Sequence, residues 1–587
     1  MHSHLQEYIF NVKYSMKKRD IRDLHMKQKY ENIFTLLEKT TVQNQKKVAL
    51  GMKNLWGWNE LTYKGLSLLA TRFAAYLIND LQIPKGEKLA ILSESLPEYG
   101  VCVFGSVLAG LTIVPLDNKL TIYELTSILS SCEPTVLMCS SKNYAKAKEL
   151  QGKIPSIKHI ILMEASEHES ADTPSLYSIP ANYSAKWRRR PLHDTALIIY
   201  TSGTTGAPKG VQTTYKNMLA QMYGMRKILK SMMPKNKEMR LLSILPMNHL
   251  FELTVGFFTM LTHGYSVYYT SSLKPKDCLD IMQEKKIRFM VTVPAFLKLL
   301  KSHFESEINK KSPMYKFMYN FKYHLAKFMP FCIRRLMFRT IHRLYGRHFY
   351  GYISGGAPLD PVVGAWFKRI GVRIFQGYGL SETSPVVSMC YNPRQDNTRS
   401  VGPILDSYDA KIDPETGELL VKGPSVMKGY YGRQDLTDEV LEPEGWFHTG
   451  DIAEIRNGLL YITGRIKNMI VLSGGKKVFP EEVETVLAQS DNFSEVCVVG
   501  MPKSGGEKDG CEEIVAVIVP SAEYASTFEN EEKLESAVKA EVKQLSHQLA
   551  PYKRPINIVV RTQTLPRTAT SKIKRKEVKA LLSECVK

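Results

Sequence analysis

The chain reads as an α/β protein: a large N-terminal domain of parallel-sheet α/β subdomains plus a small β-barrel, followed by a small α+β C-terminal domain. Three observations predict this. Short β-branched runs alternate with helical periodicity as far as Phe375, the spacing of βα units. From Ala410 to Gly464 the pattern becomes short strands separated by Gly, Pro and Asn turns. Beyond Gly464 strand and helix signals form a small unit of their own.

The strands expected in the first part are Lys88–Leu92, Leu111–Pro115, Thr135–Met138, Lys158–Met163 and Ala196–Tyr200. A second series follows at Arg240–Leu245, Arg288–Thr292, Phe349–Ser354 and Val372–Phe375. Two stretches, Tyr99–Leu116 and Leu253–Leu273, carry no charge for about the length of a membrane span. Each holds a glycine and ends in a strand-like run, so each is expected to be a buried helix that turns at Gly110 or Gly264 into a core strand. In the last part we expect a strand at Met469–Leu472, a helix from Pro480, strands at Val496–Val499 and Glu513–Val519, and a helix at Glu532–Gln548. This divides the chain into a basic N-terminal extension (1–33), a large domain (34–464) and a small one (465–587).

Composition bounds the function. The 587 residues are 44% hydrophobic, enough for a sizeable core, which excludes a mostly disordered chain. Lys and Arg number 79 against 58 Asp and Glu, a formal charge of +21, so anionic partners are favoured. The nine cysteines stand singly, without the spacing of a zinc site or disulfide framework, and fit reduced thiols in a cytosolic setting. The basic N-terminus has no apolar run after it and does not read as a secretory signal.

Between Ser312 and Tyr350 stand eight Lys and Arg residues and no Asp or Glu, interleaved with Tyr315, Phe317, Met318, Phe321, Phe328, Leu336 and Leu344. Such a segment suits peripheral contact with an anionic membrane. It equally suits a helical hairpin with a solvated basic face. No RNA-binding signature accompanies it, and nucleic acid is not expected as a partner.

The chemistry is carried by Leu197-Ile-Ile-Tyr-Thr-Ser-Gly-Thr-Thr-Gly-Ala-Pro-Lys-Gly-Val211. An apolar strand runs into a loop where Thr201, Ser202, Thr204 and Thr205 offer hydroxyls, Gly203 and Gly206 free the backbone, and Lys209 adds a positive charge. Such a loop can cradle a polyphosphate, yet it lacks the Walker A spacing.

Here the sequence resembles the adenylate-forming superfamily, most closely its long-chain fatty acyl-CoA synthetases. The resemblance runs from about Phe34 to Val578 through six motifs in the family's order. Tyr200–Gly210 is similar to its phosphate loop. Ser354-Gly-Gly-Ala-Pro358 is similar to the adenine-side loop, with Gly355, Gly356 and Ala357. Gln376-Gly-Tyr-Gly-Leu-Ser-Glu-Thr383 resembles the segment that holds adenine, α-phosphate and Mg²⁺, with Gln376, Gly377, Tyr378, Gly379 and Thr383. Trp446–Asp451 resembles the ribose-binding stretch, Gly464-Arg-Ile-Lys467 the hinge, and Pro566–Lys572 the loop of the catalytic lysine. Physically, Tyr378 offers a flat face for adenine, and Glu382 and Thr201 are oxygen donors suited to Mg²⁺. Asp451 can accept from ribose hydroxyls, with Arg465 supporting the same edge.

The resemblance implies that a carboxylate attacks MgATP to give acyl-adenylate and pyrophosphate, and that a thiol, usually coenzyme A, then takes the acyl group. Lys572 would act in the first step, and the small domain would be mobile about Lys467. Two departures are Ser571 where the family usually has Gly, and Asn468 where Asp is common. Leu245-Pro-Met-Asn-His-Leu-Phe251 is similar to the motif beside the acyl pocket, with His249 in the aromatic place. No Asp stands there to meet an ammonium, so an amino acid is disfavoured as substrate. A medium-to-long fatty acid is expected, with an acyl carrier protein as the rival acceptor. A non-catalytic membrane-associated binding protein on the same fold is the reading from another class.

Overall fold

The computed structural model describes residues 33–54, 57–181, 185–201, 208–232, 238–391, 398–472, 476–502, 512–567 and 573–585. Two expectations fall largely outside them: the N-terminal extension, of which only Ile33 is described, and the loop residues Ser202, Gly203, Thr204, Thr205, Gly206 and Lys572.

Two mainly parallel sheets build the large part. The first has seven strands, in the order Gly429–Tyr430, Lys209–Thr214, Thr195–Thr201, Thr112–Leu116, Lys88–Leu92, Val136–Cys139 and His159–Leu162. It is parallel from Thr195–Thr201 onward and antiparallel at the two strands on the other side. The second has eight, in the order Ser388–Met389, Arg373–Tyr378, Gly351–Ser354, Phe289–Thr292, Arg240–Ser243, Ser266–Tyr269, Val48–Asn54 and Gly57–Thr62. Only its two edge pairings are antiparallel. The central parallel strands are mostly buried because helices cover both faces.

Both uncharged stretches are buried helix-to-strand units. Pro97–Ala109 ends at Gly110 with φ of 72°, a left-handed cap that side chains resist, and Thr112–Leu116 follows. The second differs in kind: Glu252–Phe258 is a π-helix, followed by Thr259–Leu261, Gly264 with φ of 74° and the strand Ser266–Tyr269. Among the described residues no helix is long and apolar enough to cross a membrane.

Over 410–464, where the sequence suggests a barrel, four antiparallel strands form a sheet in the order Asp409–Ile412, Glu418–Lys422, Phe447–Arg456 and Leu459–Arg465. Four strands are fewer than small barrels use to close. After Arg465 comes a separate small α+β unit. Its three-stranded sheet, Phe493–Pro502, Glu512–Pro520 and Asn557–Val560, packs its apolar faces against Pro480–Leu487, Glu531–Ser546 and Arg575–Cys585.

Candidate active site

Thr201, Ser354 and Tyr378 stand at the carboxyl ends of parallel strands, where open α/β sheets bind ligands. Thr201 ends one strand and lies opposite Lys209 in the antiparallel register, so the two close the base of the loop between them. Ser354 ends a strand of the second sheet, and Gly355 and Gly356 follow it. Phe251 of the acyl-side motif abuts Gly355: a Cβ there would stand 3.1 Å from the Phe251 ring. The acyl-side and adenine-side motifs therefore meet.

Tyr378 ends the neighbouring strand. Its hydroxyl donates to Asp451 Oδ2 at 2.7 Å, and Arg465 Nε donates to Asp451 Oδ1 at 2.6 Å. Asp451 and Arg465 face each other in the antiparallel hairpin Phe447–Arg465. Asp451 is buried. Burial, and then the Asp451 carboxylate, push the Tyr378 phenol well above its ordinary value, which keeps it a donor.

The loop after Tyr378 is shaped by Gly379, where a Cβ would fall 1.7 Å from the Pro385 carbonyl oxygen. Thr383, expected among the nucleotide ligands, is buried. Its hydroxyl accepts from Leu380 N–H and donates to the Leu380 and Pro385 carbonyls. It pins the turn and has no face toward a ligand. Gln376, with the same expected role, is buried and donates to the Ser400 carbonyl.

Glu382 projects toward the first sheet. Its Oε1 accepts from the Tyr430 hydroxyl at 3.0 Å, and the Lys209 ammonium lies 5.0 Å from the Tyr430 ring centroid. Tyr430 escaped the sequence reading because it belongs to none of the six motifs. Its strand pairs with Val211 and Gln212, directly after the loop. Glu382 and Thr201 make an oxygen-only donor set, which fits a hard cation such as Mg²⁺.

The ribose-side turn is held from below by buried Glu418, whose Oε1 accepts from Gly450 N–H at 2.7 Å. His448 sits between two carboxylates, with Nδ1 2.9 Å from Glu418 and Nε2 2.9 Å from Glu442. Burial disfavours its charge, but these hydrogen bonds outweigh that and raise its pKa. Glu418 and Glu442 were not legible as site residues: strand pairing brings Glu418 to His448, and the turn before Phe447 brings Glu442.

His249 follows the strand Arg240–Ser243 and is half-buried. Three residues on, Glu252 is fully buried, with the Ser243 hydroxyl donating to it at 2.5 Å. Burial pushes its pKa up to about 7 against the Ser243 and Tyr269 hydrogen bonds. Arg567 and Ile573, either side of the lysine loop, are paired by an antiparallel bridge.

A family model described as AMP-binding enzyme matches residues 37–431, and one described as AMP-binding enzyme C-terminal domain matches 482–572. The chain belongs to the AMP-binding enzyme family. It is an enzyme of the AMP-forming acid–thiol ligase type. It is 28% identical over 557 residues to a long-chain-fatty-acid–CoA ligase of Salmonella typhimurium, covering 88% of this chain and 90% of that one. To the chloroplastic long-chain-fatty-acid–[acyl-carrier-protein] ligase AEE15 of Arabidopsis thaliana it is 28% identical, over 89% of this chain and 82% of that one. The crystal structure of ATP-bound MatB from Rhodopseudomonas palustris superposes with a TM-score of 0.75 at 24% identity, covering 95% of this chain and all of the other. This last likeness establishes the fold.

Proposed function

We propose that this AMP-binding enzyme activates a medium-to-long-chain fatty acid as its acyl-adenylate and transfers the acyl group to coenzyme A, acting in the cytoplasm. The observation that carries the chain-length reading is the likeness to a long-chain-fatty-acid–CoA ligase over 88% of this chain; an apolar crevice lined by Leu229, Met232, Met239, Met260, Phe289 and Ile353, with Arg240 the one charged lining residue, has a volume of only about 10 Å³ as it stands. Arg240 and Phe289 begin their strands, so most of the crevice lies toward the amino ends of the second sheet. Three methionines in its wall are flexible enough to yield to an alkyl chain. An ammonium would find little counter-charge beside this motif, because Glu252 is fully buried, turned to Ser243, and has its pKa raised to about 7.

In this reading the large domain 34–464 binds both substrates. The phosphate loop and Lys209 hold the polyphosphate, Tyr378 and Ala357 flank the base, and Asp451 and Arg465 hold the ribose. Glu382 and Thr201 would hold Mg²⁺, which supplies charge neutralisation for the leaving pyrophosphate. His249 orients the carboxylate. The small domain 465–587 brings in Lys572, whose ammonium offsets charge developing between carboxylate and phosphorus, and then turns about Lys467 for the thiol step.

Purified chain given MgATP, coenzyme A and acids of graded length should release AMP and pyrophosphate fastest with long acids. A maximum at acetate or an aromatic acid would defeat the reading. Lys572→Ala should abolish pyrophosphate exchange while ATP still binds. The AEE15 relative favours a second acceptor. Faster turnover with a holo-carrier protein than with coenzyme A would make that the physiological thiol.

A further inference from the structure

Beyond Arg465 the chain makes one tight turn, Ile466–Asn468, and then a short hairpin in which Ile470–Val471 pairs with Lys477–Val478. The hairpin doubles the chain back, so the helix Pro480–Leu487 starts beside the turn it has just left. Phe479, next before that helix, lies against Gly464: a Cβ there would stand 2.8 Å from the Phe479 ring. Asn468 Nδ2 donates to Glu481 Oε1 at 2.7 Å. A side-chain hydrogen bond thus binds the turn that holds Lys467 to the first turn of this helix.

The same oxygen of Glu481 meets a second partner. Arg575 opens the helix Arg575–Cys585, three residues after Lys572. Its Nη1 lies 3.3 Å from Glu481 Oε1, and its Nη2 donates to Glu484 Oε2 at 2.5 Å. Glu481 and Glu484 stand three apart, on one face of their helix, so one guanidinium spans both. All three side chains are mostly buried, where an ion pair is screened little. The other end of the lysine loop is fastened as well. Glu495 accepts from the Leu565 N–H at 2.7 Å and pairs with Arg567 at 3.0 Å, and the Lys574 N–H donates to the Pro566 carbonyl at 2.9 Å.

Asn468 is one of the two departures from the family pattern, and this contact accounts for it. An ionised Asp there would have no hydrogen to give. It would also set a third carboxylate beside two that already share one guanidinium. We propose that Glu481 is a positioning residue for Lys572: through one oxygen it holds both Asn468 and Arg575, so that the pivot and the arm of the lysine loop move as one body when the small unit turns. This rests on the reading in which Lys572 serves adenylate formation and the small domain turns about Lys467. A slack link would deliver the ammonium out of place, and an error of about 1 Å costs on the order of a hundredfold in rate.

The test separates the two half-reactions in the full chain, using the best acid of the graded series. Asn468→Asp should slow the pyrophosphate burst about tenfold at saturating MgATP, with the Kd for ATP unchanged. Transfer from preformed acyl-adenylate to coenzyme A should stay within about twofold, since Lys572 has no part in that step. Adding Glu481→Gln to Asn468→Asp should restore the burst to within about twofold of the parent, because the new amide donates to the new carboxylate and the carboxylates again number two. A role confined to the stability of the small unit predicts instead that both half-reactions fall together and follow the melting temperature. An unchanged burst in Asn468→Asp, a slowed burst that the added Glu481→Gln leaves unrepaired, or an equal loss in the thiol step would overturn the proposal. Lys572→Ala, run alongside, keeps the two failures apart. A burst retained there defeats the lysine reading, whereas a burst lost there and normal in Asn468→Asp defeats this proposal alone.

Discussion

The Tyr430 hydroxyl donates to Glu382 Oε1 at 3.0 Å, and the Tyr430 ring lies 5.0 Å from the Lys209 ammonium. One side chain thus ties the carboxylate proposed for the metal to the cation proposed for the phosphates. Burial first, and then the Glu382 charge, hold the phenol far above its ordinary pKa, so it donates at every working pH. Tyr430→Phe keeps the ring under Lys209 and frees Glu382. A hydrogen bond to a charged group is worth about 1.5 kcal/mol or more, so KM for MgATP should rise about tenfold. An unchanged KM would show that Glu382 is positioned without it.

His448 predicts a pH dependence. Its folded pKa is raised, so its contribution to the ribose-side turn is complete below its unfolded value, about 6.5, and is lost as pH rises through the folded value. ATP affinity should therefore weaken as pH rises above about 6.5 through the raised folded value. His448→Gln should flatten that limb. ATP titrations across the range check it, and an identical profile in the variant would remove His448 from the account.

What the sequence displayed and what it concealed divide along physical lines. The buried parallel strands were legible because apolar runs have no other reading at that length. The edge hairpin Val48–Thr62 was not, since it is half-solvated and carries Lys53, Asn54, Asn59 and Glu60. The π-helix Glu252–Phe258 was hidden because an uninterrupted apolar run has no periodicity to separate its turn from an α-turn. Its widening accompanies a carboxyl lodged against Gly256, where a Cβ would stand 2.3 Å from Glu252 Oε1. In the site, Tyr378, Asp451 and Arg465 converge as their motifs imply. Tyr430 and Glu418 arrive by strand pairing across gaps that no local pattern spans.

Glu252 carries a second pH prediction. Its carboxyl is raised from an ordinary 4.5 to about 7 in a fully buried place. Folding therefore favours the protonated form. Stability should fall as pH rises from about 4.5 to 7 and level off above, a cost on the order of 3 kcal/mol. Glu252→Gln keeps the shape without the charge. Its melting temperature should exceed the parent's at pH 8, with the gap closing toward pH 5. A gap independent of pH would mean that Glu252 stays charged or stays neutral throughout.

The small unit is moored to the large one at Lys298, whose ammonium donates to the Ser494 carbonyl at 3.0 Å and the Phe493 carbonyl at 3.4 Å. Beside it Lys301 reaches Asp491 at 3.5 Å, but that carboxylate is largely in water and contributes little. In the same arrangement the Glu124 carboxyl is held low, chiefly by the Thr121 backbone N–H and least by Lys574 of the small unit. The stretch just after Lys572 therefore lies beside the large unit's helix Ile122–Cys132, on the edge from which the phosphate loop departs. We propose that this orientation is the one that serves adenylate formation. Lys298→Met keeps the stem and removes the donor, at a cost of about 1 kcal/mol. The pyrophosphate burst should slow about fivefold, while thioester formation from preformed acyl-adenylate should not change. If the variant slows the thiol step and spares the burst, Lys298 steadies the other orientation, and the reading of this pose is wrong.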